Sequence, residues 1–157
     1  VYKYFGSKEG LFAEMFGAHC QVFLATLQIP NELSDNLEQT LTQFAERVLV
    51  AFVDPERIAM IRALVAEAAR FPDLAEMAYN TGPKYGLGLL ADFLQRYHQA
   101  GVINCPHPDI AAIQFMEMIK GHVQWRALLG LPAFPDHLNR ENYIKEAIRV
   151  FLRGYQA

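Results

Sequence analysis

Apolar side chains recur along this chain at three- and four-residue intervals, the spacing that places them on one face of a helix. Leu11, Phe12, Met15, Phe16, Cys20, Phe23 and Leu27 keep that rhythm until Pro30 stops it, and Ser7 stands where an N-cap is needed. A second stripe, Leu37, Leu41, Phe44, Val48 and Phe52, follows Asp35, with Glu38 placed as in a capping box. Asp54-Pro55 is a cap followed by a proline at the first helical position, where its missing N–H costs nothing. Ile58, Ile61, Leu64, Val65 and Ala68 continue that third helix, and Phe71-Pro72 closes it. A fourth segment runs from Pro72 to Gly101, a natural left-handed C-cap, with a kink or break expected at Thr81-Gly82-Pro83.

The fifth segment, 108–130, is the longest uninterrupted one, roughly 35 Å at helical rise. Its apolar residues occupy more than one face: Ile110, Ile113 and Met116 point differently from Phe115, Met118, Ile119 and Trp125. A helix apolar nearly all round is buried on several sides, so one side is expected on its own domain and another on a second subunit. A last helix begins at Asn139 and carries Tyr143, Ile144, Ala147, Ile148, Phe151, Leu152 and Tyr155. Ile113, Met116, Ile148, Phe151 and Leu152 are the expected dimer interface. No segment reads as a strand pair with a turn, so the expected fold is all-α, six helices after a short N-terminal stub.

With 157 residues, 52% of them hydrophobic and 20% charged, the chain suits one domain with some apolar surface left for a partner or ligand. A formal net charge of -3 means that these residues as a whole are not the basic footprint of a nucleic-acid binder. Cys20 and Cys105 are far apart and form no Cys-x-x-Cys, which fits reduced thiols in a cytoplasmic protein. Neither a bilayer-length apolar run nor a secretory leader is expected, and no membrane partner follows.

The opening residues carry more. Tyr2, Tyr4, Phe5, Gly6, Ser7, Lys8, Glu9, Leu11 and Phe12 stand in an order that resembles the TetR/AcrR family of transcriptional regulators. There the recognition helix ends in a Tyr-x-Tyr/His-Phe run, followed by a Ser-Lys-Glu turn and a Leu-Phe that opens the next helix. Val1 stands where the family usually has Leu. The resemblance implies a TetR-like regulatory core: residues 1–6 end a DNA-binding helix-turn-helix whose remainder lies upstream, and residues 7–157 form a ligand-binding and dimerisation domain. It also implies a homodimer joined by a four-helix bundle from the last two helices, operator DNA as a partner, and a small-molecule pocket within the preceding helices. By position, Tyr2, Tyr4 and Lys8 match family residues that touch operator phosphates. Tyrosine hydroxyls and a lysine ammonium near a helix end donate to phosphate oxygens, which positions a protein on DNA without reading sequence.

Candidate pocket walls are Met60, Leu64, Glu67, Tyr85, Leu89, Phe93, Met118, His122 and Trp125, large apolar side chains with a few polar groups among them. Each is on its own more naturally a packing residue. The abundance of Phe, Tyr, Met and Leu favours a hydrophobic or aromatic effector over a sugar phosphate. The expected function is a ligand-responsive regulator, a repressor released from its operator by such an effector. The alternative is a helical binding or dimerisation module with no DNA role. None of the five histidines completes a Glu-x-x-His pair, and no His-Glu-x-x-His occurs, so neither a metal nor another cofactor is expected. Gly86-x-Gly88-x-x-Ala91 matches a dinucleotide fingerprint in form, but it lies in a helical pattern with no strand before it. Ser7 and Ser34 read as caps and neither cysteine has a histidine context, so an enzyme is not expected.

Overall fold

The computed structural model describes residues 7–157. Tyr2 and Tyr4 therefore lie outside the described residues. The described chain forms seven helices: α1 (Lys8–Leu27), α2 (Leu37–Phe52), α3 (Pro55–Ala68), α4 (Pro72–Thr81), α5 (Pro83–Gln99), α6 (Pro108–Leu128) and α7 (Arg140–Gly154). The extra helix arises at Gly82, where the expected discontinuity is a full break. Pro83 is the first residue of α5, so the missing N–H falls where no helical hydrogen bond is needed. Among the described residues the one isolated bridge pairs Ile103 with Gln156, tying the α5–α6 loop to the C-terminus.

Local capping explains most boundaries. Ser7 Oγ accepts from the Gly10 N–H (3.1 Å), Asp54 Oδ2 from the Arg57 N–H (3.1 Å) and Asn139 Oδ1 from the Asn142 N–H (2.9 Å). One expected cap is displaced by a residue. Asn36, not Asp35, caps α2, its Oδ1 accepting from the Gln39 N–H at 3.0 Å. The exchange follows from Leu37, which must begin the helix to reach the core, where it is 8% exposed. Gly101 adopts φ +76 after α5, as its C-cap reading required. His98, in the last turn of α5, also fastens the loop that follows, because its Nδ1 accepts from the Cys105 N–H at 3.0 Å.

The main core lies where α2, α5, α6 and α7 meet, with the C-terminal end of α1 on one flank. Phe115 stacks on Phe44 (5.9 Å between centroids) and meets Phe151 edge-on (5.1 Å), while Phe93 packs against Tyr97 (4.9 Å). A second, smaller cluster of Phe16, Cys20 and Ala78 joins α1 to α4, with Phe12, Met60 and Leu64 against it. By length and composition alone α1 could cross a membrane, although Glu14, His19 and Gln21 interrupt its apolar run. Its buried residues Phe16, Cys20, Phe23 and Leu27 form the stripe that packs in these two clusters.

Candidate functional site

Between the two clusters lies a cavity of ≈ 380 Å³. Every described helix except α7 contributes to its walls. Helix α1 supplies Phe16, Cys20, Phe23, Leu24 and Leu27; α2 supplies Phe44 and Phe52; α3 supplies Arg57, Ile61 and Leu64. Tyr79 comes from α4, while Gly82, Pro83, Gly86, Leu87 and Leu90 come from the α4–α5 joint and the first turns of α5. Helix α6 closes the space with Ile113, Met116, Glu117, Lys120 and Gln124. The residues that make these helices amphipathic also enclose the cavity.

Glycine sets the closest approach. A β-carbon on Gly82 would stand 2.7 Å from Cys20 Sγ, and one on Gly86 would stand 3.0 Å from Leu24 Cδ2. The absence of side chains there lets the α4–α5 joint lie directly on α1. The dinucleotide-like Gly86-x-Gly88-x-x-Ala91 lies inside α5, with one glycine used for this contact.

The electrostatics of the walls are asymmetric. Arg57 is 7% exposed, and its Cζ sits 3.6 Å from the Phe23 ring centroid and 4.6 Å from that of Phe52. Burial pushes its guanidinium below the ordinary value, with Cys20 and Asp54 pulling the other way. The Cys20 thiol is raised by burial and drawn back by the same arginine. Lys120 is paired, its Nζ donating to Glu117 Oε1 at 2.8 Å and also lying 5.2 Å from the Phe52 centroid.

The expected pocket residues divide. Leu64 lines the cavity, and Met60 stands just behind it in the smaller cluster. Glu67 and Leu89 are half-buried away from the cavity lining, and Phe93 is deep in the main core. Tyr85, His122 and Trp125 are exposed, and Met118 faces a shallow groove beside α7. The expected interface residues are also redistributed. Ile113 and Met116 line the cavity, Ile148 and Phe151 are buried in the protomer's own core, and Leu152 is half-buried against it.

The reason is geometrical. Helix α6 carries two apolar stripes besides its core face, and size does not say which one turns inward. Met116, Lys120 and Gln124 line the cavity, Ile113 stands at its edge and is as exposed as Ile110, and Met118 and Trp125 lie outside it. The cavity residues that size-based reasoning missed are chiefly Phe16, Cys20, Phe23, Arg57 and Lys120. One of them left a readable mark: Arg57 stands at helical register with Ile61 and Leu64, a cation on an apolar stripe. Lys8 is exposed in the first turn of α1. Among the described residues, no three His, Cys, Asp or Glu side chains converge as a metal site would require.

Residues 39–157 match the sequence profile of the AefR-like transcriptional repressor C-terminal domain, one of the TetR C-terminal domain families. The chain belongs to the TetR family of transcriptional regulators. The structure called flavonoid-responsive regulator FrrA is similar to it at 34% identity and a TM-score of 0.86, over 99% of this chain and 78% of that one. A TetR-family transcriptional regulator from Mesorhizobium loti MAFF303099 shares the fold at 23% identity and a TM-score of 0.84, over 99% and 79% of the two chains. A TetR transcriptional regulator from Agrobacterium tumefaciens does so at 21% identity and 0.73, over 99% and 76%. A search of curated proteins finds no match.

TetR-family regulators are soluble transcription factors rather than enzymes, and act as homodimers that bind operator DNA and small-molecule effectors. In this TetR-family chain the last two helices leave an apolar outer face. Trp125 and Val150 are 60% and 49% exposed there, and Tyr143 and Ala147 border the groove that Met118 enters. Tyr143 is held in place by donating its hydroxyl to the Met118 carbonyl oxygen (3.2 Å).

Proposed function

We propose that this regulator is a repressor released from its operator when a small aromatic, largely apolar effector fills the cavity between α1, α3, α5 and α6. The observation that carries the reading is the cavity itself, walled mainly by apolar and aromatic side chains and bordered by the break at Gly82. Its volume of ≈ 380 Å³ suits a compound of a few fused or linked rings. The 34% identity to a flavonoid-responsive regulator favours the same broad class of planar polyphenolic molecule.

In this reading residues 1–6 end the DNA-binding domain and 7–157 form the regulatory one. Tyr2, Tyr4 and Lys8 touch operator phosphates, Lys8 from the first turn of α1. A ligand that fits one spacing of the two heads better than the other biases a two-state dimer by that difference in affinity. The dimer forms through the outer face of α6 and α7, around Ile110, Met118, Trp125, Tyr143 and Val150. Ile148 and Phe151 support that face from behind.

The test is calorimetric titration of the protein with flavone and naringenin, paired with gel shifts of the full-length protein on the DNA upstream of its coding region. Micromolar binding that releases the DNA supports the reading. Tight binding that leaves the DNA complex unchanged would favour the alternative, a helical ligand-binding module with no DNA role; no binding of either compound would remove the flavonoid class.

A further inference from the structure

Arg57 is the feature that packing does not explain. Its residue surface is more than nine-tenths buried, and among the described residues its Nε has no hydrogen-bond partner. No carboxylate among the described residues forms an ion pair with it. The nearest candidates are engaged elsewhere: Asp54 caps α3 by accepting from the Arg57 backbone N–H, and Glu117 holds Lys120. Stacking on Phe23 and Phe52 satisfies the faces of the guanidinium, since aromatic rings attract a cation lying over them. It does nothing for the N–H donors, which point outward in the guanidinium plane. Cys20 and Asp54 offset only part of the burial cost, and a buried cation without a carboxylate partner is costly and is ordinarily paired or neutralised.

That cation also borders the cavity. Arg57 and Phe23 line both the interior space and an open groove between α1 and α2, so they form the partition between the two. Of the other charged side chains on the cavity wall, Glu117 and Lys120 cancel each other. The interior therefore carries one surplus positive charge on an otherwise apolar surface, the arrangement that selects an apolar ligand bearing one anionic group.

We infer that the effector is an aromatic acid in the broad sense, a ring system carrying a carboxylate or an ionised phenol, whose oxygen is received by Arg57. The inference rests on the reading of the cavity as the effector site. The two aromatic rings fix the guanidinium in plane, so its donor edge is pre-organised, and the ligand oxygen supplies the acceptor that Nε lacks.

The probes are 2-naphthoate and 2-naphthamide, nearly identical in shape and different in charge, titrated calorimetrically into the protein at neutral pH. The acid is expected to bind on the order of tenfold tighter than the amide, the discrimination of one charge-assisted hydrogen bond. Arg57→Met should erase that preference by weakening the acid far more than the amide, and Arg57→Lys should keep part of it. An amide that binds as well as the acid, or a preference for the acid that survives Arg57→Met, overturns the inference and leaves the effector cavity standing. Failure of both probes to bind removes the inference, and flavone and naringenin titrated into the same protein then decide whether the cavity reading stands. A structural arginine is distinguished by its melting temperature. Without ligand, Arg57→Met should melt no lower than the wild type, because it deletes an unpaired buried charge; a fall of several degrees would make Arg57 a packing cation and overturn the assignment.

Discussion

Around Phe115, rings from α2, α6 and α7 meet stacked and edge-on with no room between them, while around Cys20 the apolar residues of α1, α3 and α4 border a space of ≈ 380 Å³ and share it with a cation. Both regions are built from the same kinds of side chain. The difference lies in what the helices do with them. In the first region four helices converge and bury nearly all of Leu41, Leu49, Leu94 and Ile119. In the second, glycine brings one joint close at Gly82, while Phe16, Phe23, Ile61 and Leu64 border open space. The first region gives the domain its stability; the second has room for a ligand to be stabilised by contacts that the empty protein does not make.

The contrast can be broken most directly by truncation. Phe115→Ala should cost about 3–5 kcal/mol in a chemical denaturation series, because the site is closed on every side. Leu64→Ala, on the cavity wall, should cost a fraction of that, since its methyl groups already face space. Equal losses would mean that the two regions are packed alike. Gly82→Ala should cost about 1–3 kcal/mol by forcing a β-carbon onto Cys20 Sγ. Adding Cys20→Ala should return part of that loss, and thermal melting of the double variant reads the coupling.

The thiols sharpen the comparison without disturbing it. Cys20 and Cys105 are both buried and free, but only Cys20 borders the cavity. Ellman's reagent should therefore modify Cys20 faster than Cys105, and an aromatic ligand in the cavity should slow Cys20 alone; equal rates would argue against a looser region. The smallest effect belongs far from both. Glu146 is held below the usual carboxylate range by its hydrogen bond and charge contact with Arg149. A depressed carboxylate contributes stability at higher pH and loses it as pH falls through the lowered value. The pair is on the surface, so melting curves of Glu146→Gln recorded down through that range should overlay those of the wild type.

Much of the fold was legible because its signals are local. Ser7, Asp54 and Asn139 cap the helices they precede through contacts that involve only the next three residues. Asn36 displaced Asp35 because both can cap and only the burial of Leu37 decides between them. The site was less legible, and α6 shows why. Periodicity reveals that Ile113 and Met116 lie on a different stripe from Met118 and Trp125, but the choice of the inward stripe depends on where α1 and α3 pack. On that helix Ile113 and Met116, expected at the interface, border the cavity, while Met118 and Trp125, expected at the pocket, lie away from it. Arg57 was overlooked for the opposite reason. A cation after an acidic cap and a proline reads as solvated, although its register with Ile61 and Leu64 points inward.

The C-terminal end of helix α1 is fastened by hydrogen bonds, while Phe16 and Cys20 pack its middle against α4. Arg47 Nε donates to the Leu27 carbonyl oxygen at 2.9 Å, and Arg96 Nη2 donates to that of Pro30 at 2.8 Å, just beyond the helix. Cys20 and Phe23, on the cavity wall, lie within about two turns of that anchorage, whereas Lys8 lies nearly 30 Å from it at ~1.5 Å per residue. A stiff rod clamped in this way is a lever of unequal arms. Were α1 to pivot there, a displacement at Cys20 or Phe23 would be multiplied roughly threefold to fivefold at the far tip by the ratio of those arms. Sub-ångström repacking around a ligand, too small to unsettle the main core, would then become a displacement of ångströms at the end of the helix that bears Lys8.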